Sequence, residues 1–271
     1  CYVKEGQSEN ALSAFHAVSE IATDEVIREE SAFQTAKLTY QGSSPFGDAI
    51  TAFKSFLLNF PETEYRKEVN EYLANLYITS KDYSRAMDAI LQTGMSSMAM
   101  REAYQRVAYY RAVELYHSSN WLKAKEFFNK SLTYQQNLTF VALAHFWMGE
   151  LAYKKGDSQE ALAQFEFFLN TPGSYALTER PISLYNKAYC LYKLDKLDDA
   201  AAAFRVYLQD SKGDDKKNAD ATLRLADLYF LSGKHSLAQD YYKKFINNLH
   251  YFSNSYSAYA QFQQALCLGL L

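Results

Sequence analysis

The chain has 271 residues and a formal charge of −3; 48% of it is hydrophobic and 22% charged, with only 10 Gly and 4 Pro. That mixture is too apolar for a disordered chain and too poor in turn formers for a many-stranded β fold. No basic run is longer than a pair such as Lys154-Lys155, Lys216-Lys217 or Lys243-Lys244, so the basic face that phosphate binding demands is missing. The most apolar stretch, Leu138 to Tyr153, is broken by His145, Gly149 and Glu150 and does not read as a membrane span.

Taken from its start, the chain repeats itself. The stretch from Cys1 to Phe15 lies without gaps under the stretch from Cys190 to Phe204, and the frame recurs throughout. Ala11, Ala49, Ala86, Ala124, Ala161, Ala200 and Ala238 follow one another at spacings of 38, 37, 38, 37, 39 and 38 residues. Four residues after each Ala stands a large apolar residue: Phe15, Phe53, Ile90, Phe128, Phe165, Phe204 and Tyr242. A four-residue step keeps both side chains on one face of a helix. Twelve residues before each Ala from the second onward stand Lys37, Ala74, Ala112, Gly149, Ala188 and Ala226, and Ala265 holds the same slot in the last repeat. All but Lys37 are small. Small residues on two neighbouring helices let the backbones approach, and the large residue next door fills the remaining gap.

Each repeat therefore reads as two helices, the first carrying the small slot and the second the Ala and large slots. Gly6, Gly156 and Gly233 punctuate the turn between them and suit a left-handed helix end. Asp157 followed by Glu160 has the spacing of a capping box. Turns between repeats hold Asn59-Phe60-Pro61 and Asn170-Thr171-Pro172-Gly173. From Leu91 to Met100 the pattern departs: Gly94 ends a short second helix, and Met95, Met98 and Met100 stand where a Phe-Pro turn is expected. A bend in the array and a partner patch are both compatible with such adaptable side chains.

The combination of Ala, large and small slots with an inter-repeat Pro resembles the tetratricopeptide repeat family over essentially the whole chain. The period of about 38 exceeds the family's usual 34 by roughly one helical turn. Long units with a Phe-Pro turn, and the run Ala103 to Tyr116, resemble the bacterial cell-envelope members of the TolA-binding and outer-membrane-assembly lipoprotein kind. The resemblance implies an all-α, right-handed superhelical solenoid of antiparallel helix pairs. It implies one solenoid over 1–271, with six complete repeats between truncated ones, as a fragment of a longer protein. It also implies the periplasm or cell envelope of a Gram-negative bacterium. Cut repeats at both ends lead us to expect end-to-end self-association through exposed apolar surface.

Candidates for chemistry are few. Cys1, Cys190 and Cys267 share the slot two residues past the small one, where Leu76, Leu151 and Leu228 stand elsewhere, and we expect them to pack as small hydrophobes. His16, His117, His145, His235 and His250 fall in different slots and do not converge as metal sites or triads require. Glu29-Glu30, Asp198-Asp199 and Asp214-Asp215 lie near helix starts and read as solvated faces that suit the helix dipole. Neither a phosphate-cradling glycine loop nor a nucleophile elbow is present, and we expect no enzyme, cofactor or metal in these residues.

In the resembled family, first helices line a concave groove that holds protein or peptide partners. Its carboxylate clamp of Lys and Asn is replaced here by Gln34 and Leu38, Glu71 and Asn75, Tyr109 and Val113, Phe146 and Glu150. The outward slots instead carry an aromatic ladder with flanking cations: Arg106, Tyr109, Tyr116, His117, Phe146, Tyr153, Lys154, Tyr185, Tyr189, Tyr192, Lys193 and Phe230. Tyrosine offers broad contact area and a hydroxyl at low entropy cost. The competing reading is that these aromatics pack one repeat on the next. The expected function is a non-catalytic binding scaffold; the alternatives are a structural spacer or self-assembly segment, or the guiding arm of an enzyme whose catalytic domain lies elsewhere. Nucleic acid and direct membrane insertion are not expected.

Overall fold

The computed structural model describes residues 2–42, 46–95, 97–210, 215–247 and 254–271. It is all-α among these residues. The helices are α1 (Ser8–Ile21), α2 (Glu25–Gln41), α3 (Phe46–Asn59), α4 (Arg66–Thr79), α5 (Tyr83–Gln92), α6 (Met98–His117) and α7 (Trp121–Leu132). There follow α8 (Leu138–Lys155), α9 (Ser158–Asn170), a 3-10 turn at Ser174–Ala176, α10 (Arg180–Lys193), α11 (Leu197–Asp210), α12 (Asp215–Leu231), α13 (His235–Asn247) and α14 (Asn254–Leu270). Even-numbered helices carry the small slots and are the first helices of their repeats. Odd-numbered ones carry the Ala and large slots.

Two compact units result. One comprises Cys1–Asn120 with Thr133–Gln136, the other Trp121–Leu132 with Asn137–Leu271. Within each, consecutive helices pack as an antiparallel solenoid. Helix starts are set by side-chain caps: Asp24 Oδ1 accepts from the amides of Val26 and Ile27, Asp82 from Arg85, Ser97 from Met100, Asn137 from Thr139 and Asp157 from Glu160. Glu160 does not close a box; its carboxylate accepts from Gln164 Nε2 at 3.0 Å.

The predicted slots form the core. Every Ala of the series is buried, and Phe53, Ile90, Phe128, Phe165, Phe204 and Tyr242 are sealed from solvent, whereas Phe15 is half-buried. Ala74, Ala112, Gly149, Ala188 and Ala226 are buried. Ala265 is exposed, because among the described residues no helix covers that face of α14. Lys37, the one large member of the series, reaches sideways to Glu68 Oε1 at 3.0 Å, with its ammonium over the rings of Phe33 and Tyr72.

The turn slot is more uniform than its glycines suggest. Gly6, Gly156 and Gly233 have φ of +72°, +85° and +68°, and Lys81, Ser119 and Asp195, each also five residues before its Ala, take φ of 59°, 61° and 59°. The left-handed turn is thus a property of the repeat, not of the residue. In the segment that departs from the pattern, Gly94 and Met95 both have positive φ, Ser97 then caps α6, Met100 enters the core and Met98 points to solvent.

Candidate functional site

In the second unit, the first helices are tied together by hydroxyl-to-carboxylate bonds. Tyr185 and Tyr189, one turn apart on α10, both donate to Asp220 Oδ2 of α12, the former at 2.7 Å. Arg224 lies one turn beyond Asp220; its Nε donates to the Tyr189 hydroxyl at 3.2 Å and its Nη1 to Asp227 Oδ2 at 3.3 Å. Asp227 Oδ1 in turn accepts from Tyr242 of α13 at 2.7 Å and Tyr259 of α14 at 2.9 Å. Four helices share one polar chain. Upstream, Asn186 of α10 donates to Glu150 Oε1 of α8 at 2.6 Å, and the Lys193 ammonium lies 4.4 Å from the centre of the Tyr153 ring.

Burial sets the electrostatics. It pushes the Tyr185 phenol well above its ordinary value, reinforced by the bond to Asp220, and the Tyr189 phenol up to about 12 for the same reasons. Burial likewise raises the Asp227 and Glu150 carboxyls against the hydrogen bonds that favour their charged forms. Cys190, sealed in the core, is pushed up to about 12, so its thiol stays protonated at neutral pH and is no nucleophile. Cys267 is also a buried free thiol, whereas Cys1, Asp214 and His250 lie outside the described residues. Among the described residues no group of three His, Cys, Asp or Glu could hold a metal ion, and no helix is long and apolar enough to cross a membrane.

The first unit repeats the theme. Tyr65, at the start of α4, donates to Glu30 of α2, a bond that pushes its phenol up to about 12, and Tyr72 donates to Glu68 at 3.0 Å. Glu30 is therefore a bonded bridge between first helices and not the solvated acid expected from its place in a Glu-Glu pair. Phe33 and Tyr65 stack at 4.3 Å, Phe53 and Tyr72 at 5.2 Å.

The aromatic ladder divides on burial. Tyr109 and Tyr116 of α6 and Phe146 of α8 are buried, the last against Phe165 and Phe168. Tyr153, Tyr185, Tyr189 and Phe230 are half-buried, and Tyr192 is 38% exposed. His117, Lys154 and Lys193 are exposed, while Arg106 is half-buried with its Nε sealed from solvent. The sequence pattern does not mark Asp220, Arg224, Asp227 or Tyr259, and it marks Tyr242 only as a large packing residue. A usable signal existed: Asp220, Arg224 and Asp227 sit at i, i+4 and i+7 on a first helix, one repeat after Tyr185 and Tyr189.

A solenoid of short antiparallel helix pairs with a hydrogen-bonded, half-exposed polar face defines a helical-repeat protein. Residues 148–216 and 220–248 match two descriptions of the tetratricopeptide repeat. Among solved structures the chain is similar to a tetratricopeptide repeat protein from Parabacteroides merdae, at 15% identity over 98% of this chain and 94% of that one, with a TM-score of 0.38. It is also similar to the C-terminal part of a repeat-containing protein from Cytophaga hutchinsonii, at 17% identity over 80% and 78%, with a TM-score of 0.41. For PilF of Pseudomonas aeruginosa the figures are 16%, 85%, 96% and 0.45. No curated protein matches the chain in sequence.

Proposed function

We propose that the chain is a non-catalytic scaffold that binds a protein or peptide along the face formed by its first helices. The observation that carries this reading is the set of tyrosine hydroxyls held by carboxylates between neighbouring first helices, Tyr185 and Tyr189 on Asp220 and Tyr259 on Asp227. Rings fixed in this way lose little further entropy when a partner lands on them, so contact area converts efficiently into affinity. The resemblance to long-period envelope repeats makes a Gram-negative cell-envelope extract the place to look. A photo-crosslinking residue at Tyr192, on the first-helix face, is compared with one at Leu58, exposed on a second helix. A discrete partner should crosslink at 192 and not at 58. It should be lost in a variant carrying Tyr153→Ser and Lys193→Gln whose circular dichroism is unchanged. Equal crosslinking at both positions would sink the first-helix face as the site.

The spacer reading draws on the burial of Tyr109, Tyr116 and Phe146. Self-association draws on α14, where Phe262 is 62% exposed and Leu266, Leu268 and Leu270 lie uncovered beside it. Light scattering should show a mass that rises with concentration and falls back to one chain for Phe262→Glu. A mass independent of both excludes association through α14.

A further inference from the structure

We draw no further inference here: the strongest candidate, the apolar face of α14 on which Phe262, Leu266 and Leu270 lie exposed beside Ala265, belongs to the self-association already set out above, and nothing in the structure shows what covers it.

Discussion

Gly149 of α8 and Phe165 of α9 touch so closely that a Cβ added to Gly149 would fall 2.8 Å from Cε1 and 2.9 Å from Cδ1 of the ring. The small slot and the large slot of one repeat are thus two halves of a single joint. Gly149→Ala should gain about 1 kcal/mol from helix propensity. The phenyl ring, however, is sealed in and backed by Phe146, so displacing it costs about 1–3 kcal/mol. We expect a net loss of about 1 kcal/mol by urea denaturation, and a much larger loss for Gly149→Leu. A stabilised Gly149→Ala would show that the ring yields freely.

The left-handed turn makes the opposite prediction at three other sites. Lys81, Ser119 and Asp195 hold positive φ, a conformation that costs an L-residue about 1 kcal/mol. Glycine relieves that strain but adds freedom to the unfolded chain, so each substitution to Gly should stabilise by a few tenths to about 1 kcal/mol. Gly156→Ala should lose about 1 kcal/mol, and since a Cβ there meets nothing within 4 Å, the whole loss is backbone. Thermal midpoints of the four variants check the set. Three Gly variants below wild type would mean those side chains make compensating contacts.

These two cases mark how far the sequence could be read. Slots defined by size at fixed spacing, such as Ala161 with Phe165 and Gly149, were legible because packing constrains both residue type and register. The left-handed slot was seen only where glycine occupies it, since Lys81, Ser119 and Asp195 carry no compositional sign of positive φ. The polar chain was missed for a different reason. Tyr185 and Tyr189 were visible as aromatics, but their partner Asp220 lies 31 to 35 residues away, and only the fold sets which carboxylate of α12 they meet. Burial along the ladder was equally hidden: Tyr109 and Tyr192 look alike in sequence, yet one is in the core and the other at the surface.

Asp220 tests whether that chain holds the array together. Asp220→Ala leaves two half-buried phenols without their acceptor and removes one of the two ion pairs of Arg224, which keeps Asp227, and we expect a loss of about 2–4 kcal/mol. Asp220→Asn keeps one acceptor oxygen and should lose about half as much. In a double-mutant cycle, Tyr189→Phe with Asp220→Ala should fall short of the sum of the single losses by about 1 kcal/mol or more. Strict additivity would mean the two groups act independently despite their contact.

Glu150 gives the chain a pH dependence of defined sign. Burial raises its carboxyl above the ordinary glutamate value, and the Asn186 bond and nearby Lys154 offset that only in part. Because the folded-state value lies above the unfolded one, the fold binds the proton more tightly. Its contribution is fully present below the unfolded value and is lost as pH rises through the folded one. Glu150→Gln keeps an oxygen for Asn186 Nδ2 to donate to and removes the titration. The variant should match wild type in acid, near the ordinary value of about 4, and gain on it as pH rises, becoming the more stable protein at neutral pH. Urea midpoints across that range give the answer. A difference that stays flat with pH, or a variant weaker at neutral pH, would mean that the charged Glu150 is better solvated than its burial indicates.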